Sequence, residues 1–279
     1  MPVIQTLSEL EEFKKSHSDQ RPWGLVPTMG ALHQGHLSLI EKAAKENALN
    51  FVSIFVNPTQ FNNTNDLQSY PQTLASDLDT IQNVAPKACV FVPSVELMYP
   101  KGLQVRSYDF LGLDNGMEGL YRPGHFEGVA TVVERLFKLL SPSIAYFGEK
   151  DFQQLKIVEL IGAKMQVDIQ ACPIVREENG LAMSSRNQRL TATQKEQAAV
   201  LYHILKKVKA AYGKISLEEL HQIAVQAITP LPGFSLEYFE IADNQTLKKV
   251  EDYDISAESR AFISVWVDDV RLIDNMLLI

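Results

Sequence analysis

The feature that most constrains the fold is an alternation repeated through the first 174 residues: short apolar runs, mostly cut off by Pro, Gly or Asn, followed by segments of helical spacing. Residues 23–28 (WGLVPT), 49–56, 89–92, 144–147 and 167–175 read as strands, the last weakened late by Pro173. Residues 36–47, 73–83, 129–140 and 151–165 read as helices. Strands apolar on both faces belong to a parallel sheet covered by helices on both sides. Repeated β-then-α therefore predicts a doubly wound α/β fold with right-handed crossovers.

After residue 174 the pattern changes. Helical stretches at 193–213 and 216–228 lead through Pro230-Leu231-Pro232-Gly233 to strand-like runs at 236–241, 260–267 and 271–277. The expected organisation is a first domain over 1–174 and a smaller α+β domain over 175–279, in keeping with the 279-residue length. A net charge of -8 disfavours a broad nucleic-acid or anionic-membrane face but leaves room for a local basic pocket. No segment reaches the roughly 18 to 20 apolar residues of a membrane span, and acids stand near the N-terminus where a signal peptide would be apolar. The expected compartment is the cytoplasm. Cys89 and Cys172 lie in apolar runs and read as buried thiols.

In an open α/β sheet, ligands bind beyond the carboxyl ends of the strands, so polar clusters at strand-to-helix junctions carry the functional reading. The first is Pro27-Thr28-Met29-Gly30-Ala31-Leu32-His33-Gln34-Gly35-His36. Gly30 and Gly35 permit a phosphate to approach backbone donors at a helix start. His33 and His36, three apart, can share a face and donate to oxygens around a phosphorus centre, or can cap and pack the helix. Zinc is disfavoured, because the glutamate and spacing of H-E-x-x-H are absent. The second cluster, Asn57-Pro58-Thr59-Gln60-Phe61, offers amides for a carboxylate or hydroxyl and an aromatic wall, with Asn57 equally able to bond its own turn.

The third cluster, Gly148-Glu149-Lys150-Asp151-Phe152-Gln153-Gln154, places a mobile cation and a capping or ribose-binding carboxylate after another strand, and one of its two glutamines is expected to face a ligand. Met183-Ser184-Ser185-Arg186-Asn187 offers hydroxyls and a guanidinium for nucleotide phosphates, or a helix cap. Arg122 and His125 can reach an anionic substrate or support a loop. Asp77 and Asp151 are candidate magnesium contacts, shared with nucleotide phosphates.

In order and spacing, PTMGALHQGH (27–36), NPTQF (57–61), RPGHFEGVATVV (122–133), FGEKDFQQL (147–155) and MSSRN (183–187) closely resemble the pantoate-β-alanine ligase (pantothenate synthetase) family of H-x-G-H nucleotidyltransferases. The closing FISVWVDDVRLIDNMLL is also similar. The resemblance implies a Rossmann-like nucleotidyltransferase fold and an ATP-dependent condensation of pantoate with β-alanine through a pantoyl adenylate, releasing pyrophosphate and AMP. It implies an ATP site of Pro27, Thr28, Met29, Gly30, His33, His36, Gly148, Glu149, Lys150, Asp151, Val175, Met183, Ser184, Ser185 and Arg186. His36, His33, Lys150 and Arg186 would be catalytic; Asn57, Gln60, Phe61 and Gln154 would bind substrate, and Asp77 would contact Mg2+. A homodimer is implied, with a C-terminal domain that closes over the nucleotide. Thr59 departs from the family, which often has Met there. Alternative readings are another H-x-G-H enzyme, such as an adenylyltransferase, and a nucleotide-binding regulator without turnover.

Overall fold

The computed structural model describes residues 1–253 and 257–279. Six strands form one all-parallel sheet: β1 (Val3–Ile4), β2 (Trp23–Thr28), β3 (Leu49–Ile54), β4 (Cys89–Phe91), β5 (Ile144–Gly148) and β6 (Asp168–Cys172). Their order is β1-β4-β3-β2-β5-β6. From β2 the chain fills one side through β3 and β4, then returns to the other side with β5 and β6, so the winding reverses between β2 and β5. That reversal opens a crevice at the carboxyl ends of these two strands.

Alternate residues serve the two faces of the sheet. Val26, Val52 and Val90 stand in register across three strands and pack with Ile40 and Ala43 of helix Gln34–Glu46 and Ile81 of helix Leu74–Val84. On the β2–β3 pair, Trp23 and Phe51 meet edge to face at 5.6 Å, and Phe13 of helix Leu7–Ser16 meets Phe51 at 5.8 Å. Cys89 and Cys172 are free and buried, and desolvation pushes their thiols up to about 12 and about 11.

The chain resolves into two compact units, and the division is not a single cut. One comprises 1–110, 122–149 and 154–173; the other comprises 111–121, 150–153 and 174–279. In the second, β7 (Phe234–Asp243), β8 (Ser259–Val267) and β9 (Val270–Leu277) form an antiparallel sheet in the order β7-β8-β9. Leu201, Leu205, Leu220 and Ala224, from helices Val200–Ala211 and Leu217–Ile228, pack with Ile263, Val265 and Leu272. The helix expected over 193–213 is two, Ala192–Ala198 and Val200–Ala211, meeting at Ala199.

Within the second unit, Arg271 joins two carboxylates. Its guanidinium donates to both Glu118 oxygens, at 2.7 and 2.6 Å, and to Glu237 Oε2, while the Tyr238 hydroxyl donates to Glu118 Oε1 at 2.8 Å. Gln153 completes the hold on the 111–121 segment, donating to the carbonyls of Leu113 and Gly116 and accepting from the Glu118 amide. Removing the cation strands buried carboxylates. Arg271→Leu is expected to cost about 3–5 kcal/mol in denaturant unfolding, and a loss below about 1 kcal/mol would show that the cluster behaves as a solvated surface pair.

Candidate functional site

The loop between β2 and helix Gln34–Glu46 has a backbone that a chain without support would avoid. Gly30 has φ 80° and Ala31 has φ 50°. A left-handed Ala costs roughly 1–2 kcal/mol. The compensation is Asp77, 3% exposed, whose Oδ1 accepts from the Leu32 amide at 2.8 Å and whose Oδ2 accepts from the Ala31 amide at 3.0 Å. Each such charge-assisted bond contributes about 1.5–3 kcal/mol. Thr73 Oγ1 donates to Oδ2 as well, at 3.1 Å. A Cβ on Gly30 would lie 3.0 Å from that same oxygen, so the close approach and the positive φ both call for glycine. Thr28 is also used in shaping the loop: its hydroxyl donates to Ser53 O and accepts from the Gly30 amide.

Asp77, expected as a metal contact, is a structural acceptor for this loop. Its oxygens accept three hydrogen bonds, one at Oδ1 and two at Oδ2, and no group of three or more His, Cys, Asp or Glu suited to a metal ion occurs among the described residues.

The histidines serve as the helix cap. His33 is the N-cap and its Nδ1 accepts from the Gly35 amide at 3.1 Å; His36 Nδ1 accepts from the His33 amide at 3.4 Å. The capping reading therefore holds, and it has a chemical consequence. An Nδ1 that accepts an N–H bears no proton, so each neutral ring carries its hydrogen on Nε2 and can donate there. The rings lie 4.0 Å apart at the positive end of a 13-residue helix.

Asn57, Gln60 and Phe61 sit on the turn that follows β3, a 3₁₀ helix over Pro58–Gln60. Asn57 caps it and donates from Nδ2 to Gln60 Oε1 and Gly128 O, both at 3.1 Å. Gln60 Nε2 lies 3.1 Å from Met29 Sδ, which brings the second cluster to the first. Phe61 packs edge to face on Tyr70. Helix His125–Leu140 begins four residues before the expected 129, after Gly124 in left-handed conformation, and seats the turn from behind. A Cβ on Gly128 would fall 2.5 Å from Thr59 O. His125 Nδ1 donates to Gln60 O at 2.8 Å and Arg122 donates to the same oxygen at 3.3 Å, so both support the loop.

Gly148 closes β5, and Glu149–Asp151 forms a 3₁₀ turn leading into helix Phe152–Met165. Of the two glutamines, Gln153 is buried and structural, whereas Gln154 is half-buried in the first turn. In the second unit, Lys150 Nζ lies 3.2 Å from Asp151 Oδ1. Burial opposes ionisation of Asp151, but the Lys150 ammonium outweighs it and holds the carboxyl below its ordinary value. Asn275 of β9 donates to Lys150 O at 2.9 Å. The Met183 amide donates to Val175 O, and Ser184 caps the 3₁₀ helix Ser185–Arg189 by accepting from the Arg186 amide.

Thr73 and Tyr99 stand in none of the motifs, and Gly128 and Asn275, though inside two of them, carry no role in the sequence reading, because each serves a loop far away in the chain.

The profile of the pantoate-beta-alanine ligase family matches residues 2–277. The chain belongs to this family. It is 47% identical over 281 residues to the pantothenate synthetase of Flavobacterium psychrophilum, covering 100% of both chains. It is 46% identical over 279 residues to that of Bacteroides fragilis, covering 99% of this chain and 98% of the relative. Among solved structures, the pantothenate synthetase of Thermus thermophilus superposes with a TM-score of 0.89 at 39% identity, covering 100% of this chain and 99% of that one. The pantoate-beta-alanine ligase of Francisella tularensis, complexed with beta-gamma ATP and beta-alanine, gives a TM-score of 0.83 at 37% identity over 100% and 98% of the two chains. Ligation of pantoate to β-alanine is the reaction of the pantoate-β-alanine ligase family, and ATP is its co-substrate. No helix among the described residues is long and apolar enough to cross a membrane.

The role of Asp77 can be tested against magnesium. Asp77→Asn keeps the shape but loses an acceptor, so the KM for ATP is expected to rise about tenfold while the Mg2+ concentration for half-maximal rate stays put. A raised Mg2+ requirement with an unchanged ATP KM would return Asp77 to the metal.

Proposed function

We propose that this ligase works in two steps within one enclosed site. A pantoate carboxylate oxygen attacks the α-phosphorus of ATP; the bond to the bridging oxygen breaks, pyrophosphate leaves, and pantoyl adenylate remains. The β-alanine amine then attacks the acyl carbonyl, AMP departs with the former carboxylate oxygen, and the amine loses a proton to give pantothenate. No protein nucleophile takes part.

One observation carries this reading. At the carboxyl edge of β2, two histidines whose Nδ1 atoms accept backbone N–H groups, leaving the hydrogen of a neutral ring on Nε2, cap a helix, and Gln60 reaches back to Met29 of the same loop. Donors of this kind stabilise charge that grows on phosphate oxygens in the first step. His36 is assigned that catalytic role with His33 beside it, and Lys150 and Arg186 neutralise the triphosphate. Pro27, Thr28, Met29, Gly30, Gly148, Glu149, Asp151, Val175, Met183, Ser184 and Ser185 complete the nucleotide site. Gln60, Phe61 and Gln154 form the pantoate side, with Asn57 holding Gln60 from the same turn. Mg2+ enters with ATP and offsets phosphate charge. The working form is a cytoplasmic homodimer in which the C-terminal domain closes over the nucleotide.

Mass-resolved products from protein, Mg-ATP and pantoate test the order of steps. Bound pantoyl adenylate with pyrophosphate is expected before β-alanine is added, and pantothenate with AMP afterwards; no pantoate-dependent product from folded protein that still binds ATP would overturn the reading. His36→Ala is expected to slow adenylate formation about 10²–10³-fold with a smaller loss of ATP affinity. Equal losses in both would make His36 a ground-state ligand.

A further inference from the structure

The turn that carries Gln60 is bonded so that a single orientation of its amide satisfies every neighbour. Asn57 is 1% exposed. Its Oδ1 accepts from the Thr59 amide at 3.4 Å, from Thr59 Oγ1 at 3.0 Å and from the Tyr99 hydroxyl at 2.5 Å. Because a backbone N–H donates and does not accept, that atom is the amide oxygen and the opposite end is the NH2. The NH2 donates to Gly128 O and to Gln60, so the end of Gln60 that meets Asn57 is its oxygen. The other end, near Met29 Sδ, is therefore a donor. Burial raises the Tyr99 phenol above its ordinary value against the bonds from Thr59 and Asn57, which keeps it protonated and able to donate. The two hydroxyls lie 2.8 Å from each other; with one proton each, two of the three edges of the Thr59, Tyr99 and Asn57 triangle carry a hydrogen bond at a time.

We propose that Thr59 and Tyr99 are positioning residues: they lock the Asn57 amide and thereby hold Gln60 with its NH2 toward the pantoate site, selecting an acid substrate with an oxygen acceptor at that point. The proposal rests on the reading of Gln60 as a pantoate ligand. A methionine at position 59 would bring no hydroxyl to this triangle. The effect runs from Thr59 to Asn57 to Gln60, and its energy is felt in the substrate that Gln60 meets.

A double-mutant cycle separates this from a packing role. Thr59→Val and Tyr99→Phe remove hydroxyls at nearly constant volume, and each is expected to raise the pantoate KM about three- to tenfold while the ATP KM changes less than about twofold. Thr59→Ser is expected to restore the wild-type pantoate KM. In a Gln60→Ala background, Thr59→Val is expected to change nothing further. If Gln60→Ala raises the pantoate KM and Thr59→Val raises it again by the same factor, positioning through Gln60 is overturned while the ligand reading stands. If Gln60→Ala leaves the pantoate KM untouched in an enzyme that makes pantothenate, the ligand reading falls and takes this proposal with it. Equal rises in the pantoate and ATP KM would reduce Thr59 and Tyr99 to general support of the fold; thermal melts of each variant confirm that folded protein is compared.

Discussion

Two backbone amides donating to one buried carboxylate hold the loop on which the rest of the site depends. Asp77 reaches the Ala31 and Leu32 amides across about 45 residues of sequence, and without it the left-handed pair Gly30 and Ala31 would relax. The path of that loop sets where helix Gln34–Glu46 begins, and so where its positive end and its two histidines stand. The sheet contributes the other half of the arrangement. Because the winding reverses between β2 and β5, their crossovers run to opposite sides and leave a crevice at the carboxyl ends of those strands, where the loop stands.

Much of this was legible in the residues. Strand β2 spans 23–28 as its apolar run indicated, and β6 stops at Cys172, just before Pro173. Helix Leu7–Ser16 escaped although its capping box at Thr6 and Glu9 is local, and the other elements that escaped are short or rest on distant contacts. β1 is two residues long, too few for any periodicity, and its stability comes from pairing with β4. Helix His125–Leu140 starts inside a stretch rich in Gly that reads as loop, since the reason for Gly128 is the Thr59 carbonyl lying against it. The motif at 27–36 announced a phosphate-type site at a helix start, but sequence left capping and catalysis as rivals for the histidines. The two roles are compatible, because the bonds that cap the helix through Nδ1 leave the hydrogen of a neutral ring on Nε2.

Asp77 and Asn57 mark the limit of reading chemistry from residue type. An aspartate near a nucleotide motif suggests magnesium, and an amide near an aromatic residue suggests a ligand. Here both are bonded within their own protein: Asp77 to backbone donors and Thr73, Asn57 to Thr59, Tyr99, Gly128 and Gln60. Each polar side chain can serve so many partners, and counting them decides which residues remain to meet substrate and which hold others in place.

Amide hydrogen exchange at Ala31 and Leu32, in ligand-free wild type beside Asp77→Ala, tests the preformed loop most directly. The expected result is strong protection of both amides before any nucleotide is added, lost in the variant. Fast exchange of both amides in the ligand-free wild type, slowed only when ATP binds, would contradict it.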